Sequence, residues 1–190
     1  DSEHILNKEA EERKQSPLYT LEDVNSVMEL WQPVKYHQKF KINPPSASRR
    51  SGFEVEFFDA GHILGSSFIS ISDATGKKII FSGDLGNTKT PIVKDTDVIP
   101  SADYAVIEST YGNRLHEDTS KRKDILEDII EETTSAKGVL LIPAFAMERT
   151  QELLYELNEL AENKRIPRIP IFIDSPLAIR LTSVYKKYSQ

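Results

Sequence analysis

The sequence predicts a mixed α/β fold, in which an antiparallel-rich sheet with flanking helices precedes a smaller α/β unit. Three short runs in the first half, 53–58, 67–72 and 78–81, have strand character, and the turn sequence DATGKK separates the last two. The second half alternates apolar runs with helical patterns, which is typical of parallel strands joined by crossover helices. The change between the two patterns falls near Gly112.

Helix signals flank the predicted strands. The first fourteen residues predict a charged helix, and Thr20, which acidic residues follow, predicts the start of a second helix. The apolar face of that helix is expected to belong to the core, and Pro33 to close the helix. A buried strand is predicted to end at Glu108. The elements predicted after it are a helix at about 118–134, the strand GVLLIPAF, a helix at about 147–162, the strand IPIFIDS and a helix from Pro176.

The bulk composition is that of an ordinary soluble globular protein, with 190 residues, 38% hydrophobic and 28% charged. The absence of cysteine excludes disulfides, thiolate metal sites and cysteine nucleophiles, and it fits a reducing compartment, so a cytoplasmic location is expected. No stretch approaches the roughly 20 apolar residues of a membrane span. A net charge of −6 does not by itself predict a nucleic-acid partner. Small basic clusters such as YKKY at 185–188 are interpreted as solvated helix ends.

Polar residues follow three of the predicted strands, each at the same relative place. His62 follows EVEFFDAG, Asp84 follows KKIIFSG, and Glu108 follows DYAVI. Loops at strand ends are where sheet folds place their functional sites, because the sheet fixes residues that the loops expose. Taken together, imidazole and carboxylate at these positions indicate a hydrolytic metal site, with zinc as a suitable metal.

Each of these residues also has a structural interpretation. His62 could be a loop histidine with its hydrogen bonds satisfied, Asp84 an ordinary turn aspartate between glycines, and Glu108 a residue ahead of a helix cap. The serines that follow His62 form no G-x-S-x-G nucleophile elbow. Two ligands cannot hold two metals, and the remaining histidines form no H-x-H pair. On the residues alone, the site is therefore incomplete.

The segments DAGHILGSS, FSGDLGN and ESTYGNRLH, in this order and spacing, resemble consecutive motifs of metallo-β-lactamase-fold nucleases of the β-CASP branch. SPLYTLEDV ahead of them, and IPAFAMERTQELL and PIFIDSPLAIRLT behind, are similar to family segments too. The branch includes bacterial RNase J, archaeal RNA-processing factors and the endonuclease subunit of the eukaryotic mRNA 3′-end cleavage complex. The resemblance implies part of an αββα metallo-β-lactamase sandwich at residues 1–112, followed by the start of an α/β β-CASP cap domain at 113–190.

The resemblance also implies a role for each site residue. His62 matches a ligand of one zinc, and Asp84 matches the catalytic carboxylate that bridges two zinc ions. Glu108 matches the acidic residue of the first β-CASP motif, which orients a catalytic histidine from later in the chain. His116, in YGNRLH, is expected to contact substrate or to support the structure. The implied reaction is metal-dependent hydrolysis of phosphodiester bonds in single-stranded RNA.

The family's hallmark H-x-H-x-D-H and its two later histidine motifs are absent from these 190 residues. The chain is therefore expected to be an internal fragment of a longer zinc-dependent ribonuclease, inactive by itself, and its exposed edge to favour a homo-oligomer or an RNA-processing complex. Two alternatives remain open. One is a catalytically inactive RNA-processing scaffold, against which the retention of His62, Asp84 and Glu108 argues. The other is a small-molecule metallo-hydrolase of the same superfamily, against which the α/β extension after Gly112 argues.

Overall fold

A computed structural model describes residues 2–43, 52–115 and 121–188, and the chain divides into two compact units, Asp1–Lys35 and Tyr36–Gln190. The first unit contains helices α1 (Ser2–Glu12) and α2 (Leu21–Glu29). None of the helices in the described residues is long and apolar enough to cross a membrane.

Helix α2 begins at a capping box. The Thr20 hydroxyl accepts a hydrogen bond from the Asp23 amide at 3.3 Å, and the Asp23 carboxylate accepts one from the Thr20 amide at 2.8 Å. This confirms the predicted helix start. The apolar face of α2 does not belong to a core, however, since Val27 and Met28 are each 53% exposed and no residue of the helix is buried. Periodicity indicates which face is apolar, but it does not provide an element to cover that face.

The second unit is built on a five-stranded mixed sheet in the order β1-β2-β3-β4-β5. Strands β1 to β4 pair antiparallel, and β5 pairs parallel to β4. The strands are β1 (Phe40–Ile42), β2 (Phe53–Asp59), β3 (Ser67–Ser72), β4 (Lys78–Phe81) and β5 (Tyr104–Val106). The strand runs predicted in the first half correspond to β2, β3 and β4. The strand before Glu108 was predicted to be buried, but β5 lies at the sheet edge and all of its residues are exposed.

One face of the sheet carries a small apolar core. Phe68 and Ile80, which share that face by the strand register, are each at most 1% exposed, and the Phe68 ring stacks on Phe58 with 4.9 Å between centroids. The predicted turn between β3 and β4 is fixed by Asp73, whose carboxylate accepts hydrogen bonds from the backbone amides of Thr75 and Lys77. The strands that carry the candidate site therefore rest on a packed layer.

Three helices follow the sheet: α3 (Arg122–Ser135), α4 (Arg149–Glu162) and α5 (Pro176–Tyr188). Their core consists of Ile130, Leu157, Leu160 and Ile166. Ion pairs on the surface of α3 and α4 reinforce this packing, since Arg122 pairs with the buried Glu156 and Lys123 with Glu159. The predicted helices of the second half are confirmed, with bounds shifted by a few residues.

The two strands predicted in the second half, GVLLIPAF and IPIFIDS, are not formed within the described residues. Their side chains remain largely exposed, at 94% for Val139 and 87% for Phe172. A strand needs a hydrogen-bonded neighbour, and the described residues provide none for these segments. The fold is thus mixed α/β as predicted, but its only parallel strand pair among the described residues is β4 with β5.

Candidate functional site

The loops that carry His62, Asp84 and Glu108 all lie at the same end of the strands of the sheet. The strand register places the end of β2 beside the start of β3, through the pair Asp59 and Ser67. It also places the ends of β4 and β5 side by side at this same end of the sheet, through the parallel pair Phe81 and Val106. The loop between β2 and β3 and the segments after β4 and β5 therefore emerge together.

His62 lies on a tight loop that two glycines shape. Gly61 and Gly65 have φ of 63° and 83°, a backbone conformation that glycine adopts without strain. The Ser66 hydroxyl closes the loop by accepting hydrogen bonds from the amides of His62 at 3.1 Å and Ile63 at 3.2 Å. The imidazole is consequently presented, half-buried, from a backbone whose amides are already satisfied.

A close backbone contact joins this loop to the segment after β4. The Gly86 amide donates a hydrogen bond to the Ala60 carbonyl at 2.8 Å. Asp84, which is exposed, lies two residues before Gly86, and His62 lies two residues after Ala60. The contact therefore brings together the two backbone segments that carry the candidate metal ligands.

Glu108 fixes the same segment from the other side. Its carboxylate accepts a hydrogen bond from the amide of Leu85, the residue after Asp84, at 2.7 Å. Its own amide donates to the hydroxyl of the buried Ser82 at 2.9 Å. Hydrogen bonds from the Leu85 amide and from Thr110, together with the charge of His62, hold the pKa of Glu108 below its usual range. Glu108 thus remains an anion beside both candidate ligands.

The arrangement supplies the types of ligand that zinc prefers, an imidazole and a carboxylate. No group of three or more His, Asp or Glu residues that could hold a metal ion occurs within the described ranges. His116, the predicted substrate contact, lies outside the described residues. The backbone segments that carry His62, Asp84 and Glu108 are therefore brought to one corner of the sheet.

Sequence reasoning missed two residues next to this corner. The hydroxyl of Tyr185, on α5, accepts a hydrogen bond from the amide of Leu64 at 3.4 Å and donates one to the Glu148 carboxylate at 2.6 Å. Tyr185 belongs to YKKY, which was interpreted as a solvated helix end. Glu148 fell inside the helix predicted at about 147–162, whereas α4 begins one residue after it. No periodic signal marks either residue, because both act through a contact across the fold.

Two family profiles match the chain. The profile of the metallo-beta-lactamase superfamily domain matches residues 2–110, and that of the Beta-Casp domain matches residues 150–190. The first match alone covers more than half of the chain. The chain belongs to the metallo-beta-lactamase superfamily and carries a Beta-Casp region, as the motifs predicted.

Three curated proteins illustrate the sequence similarity of this chain to individual relatives. The chain is 34% identical over 183 residues to a ribonuclease of Thermus thermophilus, with 96% of this chain and 40% of that protein covered. It is 34% identical over 175 residues to an RNase J-like protein of Methanocaldococcus jannaschii, covering 90% and 39% of the two chains. It is 32% identical over 173 residues to cleavage and polyadenylation specificity factor subunit 3-I of Arabidopsis thaliana, covering 90% and 24%. The chain thus spans less than half the length of these relatives.

Proposed function

We propose that this chain forms part of the active site of a zinc-dependent ribonuclease that hydrolyses phosphodiester bonds in single-stranded RNA. The observation that carries the proposal is the convergence of His62, Asp84 and Glu108 at one sheet edge, with their segments joined by the Gly86–Ala60 and Leu85–Glu108 hydrogen bonds. The substrate class is taken from the relatives, which are named as ribonucleases or RNA 3′-end cleavage factors.

In this proposal His62 and Asp84 are the metal ligands. Half-burial of His62 and exposure of Asp84 leave both side chains accessible to an ion at the rim of the sheet. When bound, zinc would supply a Lewis acid that activates water and offsets the negative charge that develops on the phosphate. Asp84 would also be the catalytic carboxylate that two metal ions share.

Glu108 has a different role, since its carboxylate is already engaged by the Leu85 amide and by Thr110. It holds the backbone next to Asp84 and retains its negative charge beside His62. A carboxylate held in this way is suited to orient and stabilise a cationic partner, such as a histidine contributed by another part of the protein. It is not positioned as a third metal ligand within the described residues.

A zinc site needs about four ligands, and the described residues contribute two of them by this proposal. We therefore expect the 190-residue chain by itself to bind zinc weakly and to cleave RNA poorly. The whole protein is therefore the appropriate sample for these measurements.

The proposal is tested by zinc content and cleavage of a single-stranded RNA oligonucleotide, in the full-length protein and in its His62→Ala and Asp84→Ala variants. Both zinc content and cleavage are expected to fall in both variants. Asp73→Ala is the matched control, because that carboxylate fixes the turn at the opposite end of β3 and β4. Unchanged cleavage in Asp84→Ala with normal folding would show that the protein is not this enzyme. Cleavage of a small ester in place of RNA would favour the small-molecule hydrolase.

A further inference from the structure

Glu148 is a buried carboxylate in a strained backbone position. The residue is 5% exposed, has φ 64° and ψ −61°, and lies at the centre of a turn closed by the Arg149 amide and the Met147 carbonyl at 2.8 Å. A three-residue turn of this hand is rare and strained for a residue with a side chain. Strain of this kind persists only where surrounding contacts determine the conformation, so the contacts of Glu148 are informative.

Those contacts lead to the His62 loop. One carboxylate oxygen of Glu148, Oε2, accepts the Tyr185 hydroxyl at 2.6 Å, and that hydroxyl accepts the Leu64 amide at 3.4 Å. The other oxygen, Oε1, is buried and has no hydrogen-bond partner among the described residues. Through the Tyr185 hydroxyl, the carboxylate is thus linked to the loop two residues from His62.

The two helices that supply this chain are fixed to each other. The side-chain amide of Gln151 on α4 donates to the Thr182 hydroxyl on α5 at 3.0 Å, and the same amide donates to the Ala146 carbonyl at 3.1 Å. Tyr185 follows Thr182 by three residues, so it projects from nearly the same face of α5. A hydrogen bond between α4 and α5 thus lies one helical turn from the hydroxyl that binds Leu64.

We propose that Tyr185 and Glu148 are positioning residues that hold the His62 loop in the conformation that binds metal. We call the chain of bonds from Leu64 through Tyr185 to Glu148 the loop clasp. The clasp links residues matched by the superfamily profile to residues in or next to the Beta-Casp match. Through it, the Beta-Casp region sets the metal affinity of the site. This inference rests on the proposed role of His62 as a ligand.

The first test measures the loop without reference to activity. Hydrogen exchange at the Leu64 amide is followed by NMR in the full-length protein and in its Tyr185→Phe and Tyr188→Phe variants. Tyr188 lies on the same helix and is 60% exposed, so it controls for loss of a tyrosine hydroxyl. Exchange at Leu64 is expected to rise about fivefold in Tyr185→Phe, the effect of one lost hydrogen bond, and to remain unchanged in Tyr188→Phe. Equal exchange in all three proteins would overturn the clasp.

The second test measures metal binding in the full-length protein. Tyr185→Phe is expected to raise the zinc concentration at half-saturation about tenfold, with kcat at saturating zinc near that of the unaltered protein. If Tyr185→Phe does not fold, Glu148→Gln replaces it, because that change keeps an acceptor for the tyrosine but removes the charge that strengthens the bond. A smaller shift, in the same direction, is expected for Glu148→Gln.

The outcomes separate the two proposals. Faster Leu64 exchange with an unchanged zinc midpoint would show that the clasp orders the loop but does not set metal affinity, and it would overturn the inference alone. Zinc binding that is insensitive to His62→Ala would overturn the proposed function and the inference together. Faster exchange with a raised zinc midpoint supports the inference.

Discussion

Gly86 lies so close to Gly61 that no side chain fits between them. A Cβ built on Gly86 would stand 1.7 Å from the Gly61 carbonyl oxygen, far inside any contact distance. The Gly86 amide meanwhile bonds the Ala60 carbonyl at 2.8 Å, so the close approach is a hydrogen-bonded crossing of two loops. His62 and Asp84 flank this crossing on the two chains, and their relative placement depends on it.

We therefore expect Gly86→Ala to separate the two loops. The variant should lose about 1–3 kcal/mol of unfolding free energy, as overpacking usually does, and most of its zinc binding in the full-length protein. Gly138→Ala is the control, because a Cβ there meets its nearest atom at 3.4 Å. Urea unfolding and zinc titration measure the two effects. Full zinc affinity in a destabilised Gly86→Ala protein would contradict the dependence of the site on the crossing.

Two substitutions of Glu108 separate the effect of its negative charge from the effect of its hydrogen bond with the Leu85 amide. Glu108→Gln retains an oxygen for the Leu85 amide, so its thermal midpoint should change little, while RNA cleavage should fall about 100-fold or more because the anion is lost. Glu108→Ala leaves the Leu85 amide without its acceptor, so it should also lose about 1–3 kcal/mol of stability. Thermal unfolding and cleavage rates distinguish the two variants. Normal cleavage by Glu108→Gln would show that the charge is not required.

The sequence was sufficient to predict strands β2, β3 and β4, but two other predicted strands do not form within the described residues. Runs 53–58, 67–72 and 78–81 form strands because each lies next to another that pairs with it, and short turns set their register. The runs GVLLIPAF and IPIFIDS have equally strong strand composition. They do not pair within the described residues, because composition cannot specify where a partner strand comes from.

The candidate site likewise contains residues that the sequence could indicate and residues that it could not. His62, Asp84 and Glu108 could be selected as candidates because each lies two or three residues after a strand, and the sheet brings these strand ends together. Glu148 and Tyr185 could not be identified in this way. Their contact with Leu64 spans more than eighty residues of sequence, and no local pattern records it. Even His62 required its motif, since a glycine-flanked histidine alone is also consistent with an ordinary loop.

The core under the site should be sensitive to truncation. Phe68 is fully buried and stacks on Phe58, so Phe68→Ala is expected to lose about 3–5 kcal/mol of unfolding free energy. Phe172→Ala removes the same atoms from a side chain that is 87% exposed, so it should change stability by about 0.5 kcal/mol or less. Urea unfolding of both variants measures the difference. Equal losses would show that the segment around Phe172 is covered in solution.

Glu148 should make stability depend on pH. Burial raises the pKa of Glu148, against the opposing effect of the Tyr185 hydroxyl and the Leu64 amide. The folded protein therefore binds this proton more tightly than the unfolded chain does, so unfolding free energy falls as pH rises from the unfolded value, about 4.3, through the raised pKa.

Glu148→Gln removes this titration, so the variant is expected to be more stable than the unaltered protein near neutral pH. The advantage should shrink below about pH 4, where Glu148 becomes protonated in both states. Urea unfolding at several pH values gives the difference directly, and Glu131→Gln, at an exposed position on α3, provides the control. The quantity to compare is the unfolding free energy of Glu148→Gln minus that of the unaltered protein. If this difference is lower near neutral pH than near pH 4, the surroundings stabilise the ionised carboxylate. The sign of the stability difference between the two proteins near neutral pH therefore shows whether the negative charge of Glu148 destabilises or stabilises the fold.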